Sequence, residues 1–329
     1  MIIIQIVCAL VAALLLSTIA LLFEGLDRKG HARMQRRVGP PVTQGIWDFL
    51  KLLGKENITP RHAVKWLFNA APAVSLTAIL TAFAYIPMGV VPSPLCGYGD
   101  AITVMYLITL SSAALALGAF ASGSPLANTG AQRELVLMMS FEAPLAVCIA
   151  TVGWLITKST AGLPAFALET YAHVSLWSLV GWSGFIGLIC LTAAALLVIP
   201  AESGTGLMDI AEAKTEILEG LTIEYSGVNL ALVHLALTLR SLAVCALITA
   251  IFIPFSISSL LSLPAILTAP VDIVWFWAKT LGVALFGVTY LRTIFGRLKI
   301  WQASGFYWSK IGLLALAGMV LVSIDVYMR

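Results

Sequence analysis

Apolar residues recur along the whole chain in runs long enough to cross a bilayer, and polar residues gather in the stretches between them. Crossing the hydrocarbon core takes about 20 apolar residues in a helix. Eight runs reach that length: Ile2 to Phe23, Trp66 to Met88, Ala101 to Ala121, Leu135 to Ile156, Leu176 to Ile199, Val228 to Ile253, Ile273 to Ile294 and Trp308 to Met328. They predict an all-α integral membrane protein of about eight transmembrane helices. No polar stretch is long enough to fold alone, so residues 1–329 form a single polytopic membrane domain. The first run is too long for a signal-peptide core and its charged flank lies downstream, which makes it a retained span. From Pro254 to Pro270 the chain is apolar but carries three prolines and several serines. That stretch reads as a loop or a short re-entrant piece; as a span it raises the count to nine.

Composition agrees with this pattern. The chain is 60% hydrophobic and 11% charged, with a mean hydropathy of +0.98; a soluble domain carries about 25% charged residues. The placement of charge adds orientation. With eight spans, the loops at about 24–65, 122–134, 200–227 and 295–307 share one side. In or bordering them lie 14 of the 19 Lys and Arg, against Lys158 and Arg329 on the other side. By the positive-inside rule these charged loops are cytoplasmic and both termini lie outside a cell membrane. Within the first loop, Ile46, Phe49, Leu50 and Leu53 fall at helical spacing with Asp48, Lys51 and Lys55 elsewhere. This predicts an amphipathic interfacial helix over Thr43 to Lys55, either anchored on the surface or packed on other spans.

The charged loops concentrate the candidate chemistry. Arg28 to Arg37 holds six cationic side chains, Arg28, Lys29, His31, Arg33, Arg36 and Arg37, and then turns at Gly39-Pro40-Pro41. Such a run suits an anionic lipid surface, but it ends in a rigid turn rather than a flexible tail. The fifth loop holds Glu202, Asp209, Glu212, Glu216, Glu219 and Glu224 against the single Lys214. The spacing of Asp209, Glu212, Glu216 and Glu219 puts them on one stripe if the segment is helical, where like charges repel. They therefore need cations from elsewhere or protons of their own. Loops one and five are expected to pack together, with Arg28, Arg33, Arg36, Arg37 and Arg133 facing the carboxylates. An acidic face that docks a basic partner is the alternative.

Ionisable groups within spans form a second set: Glu142, His234, Arg240 and Lys279. A charged group at a helix centre costs on the order of 3 kcal/mol on insertion scales, so such groups face protein or water. Pro144 cannot donate to the carbonyl of Ser140, which loosens the helix beside Glu142 and suits a hydrated proton site. A salt bridge from Glu142 to Arg133 or Arg240 is the structural alternative. Five scattered cysteines form no C-x-x-C or Cys/His ligand spacing, so no metal or cluster is expected in this chain. No Walker A loop, dinucleotide-binding glycine motif, H-E-x-x-H or G-x-S-x-G is present.

Four motifs carry a resemblance. They are Asp27-Arg28-Lys29 with Ala32 to Pro40; Leu50-Lys51-Leu52-Leu53-Gly54-Lys55-Glu56; Gly123-Ser124-Pro125 through Gly130 and Arg133-Glu134 to Glu142; and Asp209-Ile210-Ala211-Glu212-Ala213 through Glu216, Glu219-Gly220 and Glu224-Tyr225-Ser226-Gly227. In this order they resemble the membrane-anchor subunit of energy-converting group 4 [NiFe] hydrogenases (the formate hydrogenlyase, Ech and Mbh types). That family is homologous to the complex I subunit that joins the membrane arm to the peripheral arm. Complex I members usually have Glu-Arg at Asp27-Arg28 and Pro-Phe-Asp at Leu207-Met208-Asp209, and these departures lean toward the hydrogenase branch.

The resemblance implies an eight-helix subunit with no cofactor of its own and no nucleic-acid role. It implies a [NiFe] centre and [4Fe-4S] clusters in partners: the hydrogenase large and small subunits, an iron-sulfur subunit and antiporter-like membrane subunits, fed by ferredoxin or a formate-oxidising module. It further implies a proton or sodium coupling path through Glu142, Asp209, Glu212, Glu216 and Glu224, with Arg133-Glu134 and the loop-one arginines as partners. A quinone-chamber subunit of a complex I-like enzyme is the alternative within the family. A stand-alone transporter using Glu142, His234 and Lys279 at one midplane site is the alternative outside it, although no internal repeat is visible.

Overall fold

A computed structural model describes residues 2–89, 91–95, 97, 99–160, 163–258 and 265–328. Eight helices among them are long and apolar enough to cross a membrane. In chain order the helices are α1 (Ile2–Met34), α2 (Gln44–Leu53), α3 (Lys65–Tyr85), α4 (Ala101–Ala121), α5 (Pro125–Ser159), α6 (Leu168–His173), α7 (Trp182–Glu202), α8 (Lys214–Ile217), α9 (Gly227–Phe252) and α10 (Ala265–Ala284). The helix of α10 runs on through a π-helical turn at Leu285–Tyr290 to Leu291–Ile294. The final span opens with α11 (Ile300–Gly305), passes a second π-turn at Phe306–Ile311 and ends in α12 (Gly312–Met328).

The bundle is organised around α9, whose most apolar window is 89% buried, against 28% for the first and last spans. Inside a bilayer, helices gain from close packing of small residues and from hydrogen bonds between them. Both devices are used. Ser75 of α3 and Ser111 of α4 share a 2.6 Å hydrogen bond. Gly187 of α7 lies so close to Gly318 of α12 that an added Cβ would stand 2.9 Å from its carbonyl oxygen.

Hydrogen bonds tie the loops into two opposite ends. At one end, the N–H of Val64 bonds to the carbonyl of Ala121, Ser226 bonds to Ile58, and Leu298 N–H bonds to Leu207. The loops after the first, third, fifth and seventh spans therefore meet there. At the other end Asp325 accepts from Gly181 N–H at 2.7 Å, and Trp177 donates to the carbonyl of Phe252. The last turn of α12 lies at this second end.

Several boundaries differ from the hydropathy reading. Helix α1 continues past Phe23 to Met34, so most of the basic run is helical. Helix α5 begins at Pro125, where proline's missing N–H suits a first turn; the predicted loop 122–134 shrinks to three residues, and Arg133 and Glu134 belong to the helix. The apolar run predicted from Leu176 starts as a helix only at Trp182, after a 3-10 turn at Leu176–Ser178. The final span starts at Ile300 rather than Trp308. The loop or re-entrant reading of 254–270 falls partly on 259–264, outside the described residues; α10 already includes Ala265 onward and accommodates Pro270.

Candidate functional site

The chemical centre of the bundle is Arg240, about three and a half turns into α9 and 2% exposed. Its Nη1 donates to Glu134 Oε1 at 2.9 Å and to Ser112 Oγ at 2.5 Å. Its Nε faces Glu202 Oε1 at 3.5 Å, and neither of those two atoms makes a hydrogen bond. Four spans thus supply one group each: α9 the cation, α5 and α7 the carboxylates, α4 the hydroxyl. A buried charge needs a partner, because desolvation otherwise costs several kcal/mol per ion. Arg240 has two.

Glu212 of loop five adds a third carboxyl nearby, with its Oε1 shielded and unbonded. Burial, reinforced by the charges of Asp209 and Glu134, pushes the Glu212 carboxyl up to about 7 while Arg240 pulls it down. Burial also raises Asp209, against the pull of Arg297, Arg292 and Lys214. Glu142, half-buried on α5 and in hydrogen-bonding reach of Thr109, lies close enough to Glu202 for their charges to interact. It is 17 residues into α5, about 26 Å along the helix. The salt bridge considered from Glu142 to Arg133 or Arg240 does not form: Arg240 takes Glu134 and Glu202, and Arg133 takes Glu216.

Loop five is not one helix, which corrects the acidic stripe. The chain makes a 3-10 turn at Gly206–Met208, the single turn α8 and a 3-10 turn at Gly220–Thr222, broken by left-handed backbone at Leu218 (φ 52°) and Glu219 (φ 74°). Asp209, Glu212, Glu216 and Glu219 consequently point different ways, which relieves the repulsion that a stripe imposes. The loop lies flat on α5 because Gly130 has no side chain; a Cβ there would sit 2.5 Å from Leu221 N. Glu216 is exposed and bridges Arg133 (2.7 Å) and Arg297 (2.8 Å). The hydrogen bond from Arg133 leads the effects that hold its carboxyl below the usual range. Glu219 pairs with Lys214 at 2.9 Å, and Glu224 is half-buried.

The expected pairing of loop-one arginines with these acids is also corrected. Arg28 is taken by Glu24 and by Asp48 of α2, at 2.7 Å for the latter. Arg33, Arg36 and Arg37 are exposed. Loops one and five touch through backbone instead, where Ser226 Oγ accepts from Ile58 N–H at 2.8 Å and Gly227 packs on Lys55 and Glu56. The cations that loop five does use come from α5 and from the stretch after α10. Asp27 entered the sequence reading only as part of a motif, and Arg292 and Arg297 were not singled out: Thr289 and Arg292 hold the Asp27 carboxylate at 2.7 and 3.0 Å.

Helix α2 packs on α1 through Gly45, where a Cβ would stand 2.5 Å from the carbonyl of Leu21. Ile46 and Phe49 pack inward while Trp47, Leu50 and Leu53 stay exposed. Helix α2 is thus packed on the spans and keeps an apolar face outward. His234 of α9 faces a 290 Å³ cavity between α1 and α2. Lys279 caps the end of α9, with Nζ 2.6 and 2.9 Å from the carbonyls of Ile253 and Phe255. Glu142, His234 and Lys279 do not converge, so the midplane transporter site is absent among the described residues. There, too, no group of three or more His, Cys, Asp and Glu could hold a metal ion.

An eight-span bundle with a buried, carboxylate-rich cluster and a charged end defines a polytopic membrane protein built to handle charge. The chain belongs to the NADH dehydrogenase family, whose profile matches residues 6–323. It is 32% identical over 267 residues to hydrogenase-4 component C of Escherichia coli K12, covering 80% of each chain. It is 30% identical over 317 residues to formate hydrogenlyase subunit 4 of the same strain, covering 95% of this chain and 98% of that one. It is 31% identical over 316 residues to an NADH-quinone oxidoreductase subunit of Syntrophotalea carbinolica, covering 90% and 88%. A chain in the structure of the membrane-bound sulfane sulfur reductase, an archaeal respiratory membrane complex, superposes with a TM-score of 0.81 at 27% identity, covering 95% and 98%.

Proposed function

We propose that this chain is the membrane subunit of an energy-converting oxidoreductase complex of hydrogenase type, coupling a peripheral redox module to proton or sodium movement. Two hydrogenase-complex relatives, one matched nearly end to end, support the class. The observation that carries the coupling role is the imbalance around Arg240: Glu134, Glu202 and Glu212, with Glu142 beyond them, share one buried cation. Such a group titrates as a unit. With more carboxyls than cations it holds at least one proton near neutral pH, and the electric field at loop five decides which carboxyl holds it.

In this reading the charged end is cytoplasmic and the termini lie outside, following the positive-inside rule. The hydrogenase large and small subunits and an iron-sulfur subunit dock there, carrying the [NiFe] and [4Fe-4S] centres. Antiporter-like subunits flank the bundle and move the ion. A charge change in the module reaches Asp209 and Glu212 first, then Glu134 and Glu202, then Glu142.

The test is made on the whole complex in liposomes. Glu142→Gln and Glu202→Gln are expected to leave assembly and bound metal intact and to abolish hydrogen-linked ion movement. Full pumping in both variants would refute the reading. The relation to an NADH-quinone oxidoreductase subunit supports a second reading, in which the same loops shape a quinone site. Reduction of added quinone by the purified complex, with no hydrogen evolved, decides for it.

A further inference from the structure

The final span carries a tyrosine to the backbone that bears Glu202. Ala303, Tyr307, Ile311 and Ala315 recur every fourth residue, and each is at most 2% exposed. On a plain α-helix that spacing would turn the buried face by about 120° over the stretch. The π-turn at Phe306–Ile311, whose i→i+5 bonds widen the turn, takes up the drift. Tyr307 therefore points inward, while Trp308 beside it is 59% exposed.

The Tyr307 hydroxyl reaches the last turn of α7. It donates to the carbonyl of Leu197 at 2.8 Å, and its oxygen faces the N–H of Ala201. Those two backbone groups are i and i+4 partners, so the hydroxyl lies across one rung of the α7 ladder. The rung before it is missing: Pro200, inside the helix, has no N–H for the carbonyl of Leu196. Tyr307 thus reinforces a turn that proline weakens. Glu202 is the next residue after Ala201. It is 2% exposed, and its Oε1, 3.5 Å from Arg240 Nε, makes no hydrogen bond. That oxygen is aimed by the backbone that carries it. The tyrosine ring is itself fixed, meeting Phe141 of α5 edge-on with centroids 6.4 Å apart, and one turn earlier the hydroxyls of Ser304 and Ser140 are 3.0 Å apart. Just before α11, the same segment is tied to loop five through Leu298 N–H on Leu207 and through Arg297 on Thr215 and Glu216.

We propose that Tyr307 is a positioning residue for the buried cluster: its hydroxyl fixes the last turn of α7 and, with it, the placement of Glu202 against Arg240. Its effect on ion movement rests on the coupling role of Glu202 proposed above; its effect on the stability of the cluster does not.

The test uses Tyr307→Phe, which keeps the ring against Phe141 and removes only the hydroxyl. In the whole complex in liposomes, hydrogen evolution with an uncoupler present is expected to match the parent, while ions moved per hydrogen fall about fivefold, the factor that one net hydrogen bond carries. Full ion movement in Tyr307→Phe, with none in Glu202→Gln, would overturn the positioning role alone. Full ion movement in both would remove the coupling reading beneath it. The second measurement is a double-mutant cycle by thermal unfolding of the full chain in detergent. Tyr307→Phe is expected to lower the melting temperature by about 2–4 °C in the parent, and by less than half as much in the Glu202→Gln background, where no carboxylate depends on the turn. An equal loss in both backgrounds would make the hydroxyl a structural bond to Leu197 with no bearing on Glu202, and would overturn the proposal.

Discussion

Arg240 and Arg133 each hold a glutamate by a short hydrogen bond, at 2.9 Å to Glu134 and 2.7 Å to Glu216. The side chains of the first pair are 2% and 9% exposed; those of the second are 27% and 44% exposed. The similar bond lengths conceal opposite energetics. At Arg240 both ions have left water, and each depends on the other to offset that loss. At Arg133 water already solvates both, so the pair adds little and salt can screen it. Loop five touches both regions, with Glu212 turned toward the first and Glu216 toward the second, and this suits it to carry a charge signal from surface to interior.

The largest effect follows from removing the buried cation. Arg240→Met leaves Glu134 and Glu202 facing each other without compensation, and a loss of about 3–5 kcal/mol is expected. Thermal unfolding in detergent micelles measures it. The triple variant Arg240→Met/Glu134→Gln/Glu202→Gln removes the unpaired charge and is expected to recover most of that loss. A single variant as stable as the parent would show that the two regions do not differ in kind.

Most of the fold was legible in the sequence, because eight apolar runs with charge on alternate loops admit few arrangements. The candidate site was legible only in its residue types. Arg240 and Glu134 were both marked, one as an intramembrane group and the other as a loop residue; that they pair depends on α5 starting at Pro125, which hydropathy does not reveal. The Asp209 to Glu219 stripe failed because periodicity assumes a helix, whereas left-handed backbone at Leu218 and Glu219 breaks it. Glu202 ends an apolar run, so it was counted with loop five and not with the interior.

The next effect sharpens the contrast through pH. Glu212 has its carboxyl at about 7 against an ordinary 4.5, so the folded chain binds more protons than the unfolded one between those values. Stability tied to Glu212 is thus full below 4.5 and is lost as pH rises through about 7. Glu212→Gln removes that loss. The variant is expected to match the parent at low pH and exceed it at high pH, by up to about 3 kcal/mol. Glu216, whose carboxyl is lowered, carries the opposite sign: its contribution is present at neutral pH and fades as pH falls. Melting temperatures across pH for Glu212→Gln and Glu216→Gln should therefore diverge from the parent in opposite directions. Parallel curves would erase the distinction between interior and surface.

At the far end of α9, Lys279→Met tests whether an intramembrane cation there is functional or structural. It strips two carbonyls, Ile253 and Phe255, of their donor, and a loss of about 1–2 kcal/mol is expected. Ion movement per turnover in the whole complex should stay unchanged. Lost coupling with full stability would instead place Lys279 with Arg240.

Arg133→Met is expected to have the smallest effect. Arg297 still holds Glu216 at 2.8 Å and also donates to Thr215 at 3.0 Å, so the carboxylate keeps a partner and stays in water. The melting temperature should move by about 1 °C or less, and added salt should remove even that, since the pair lies within reach of screening ions. The Arg240→Met deficit should persist in the same salt, because its charges are shielded from the solvent. A salt-resistant loss in Arg133→Met would mean that docking of loop five on α5 rests on this bridge, and the surface pair would then belong with the buried one.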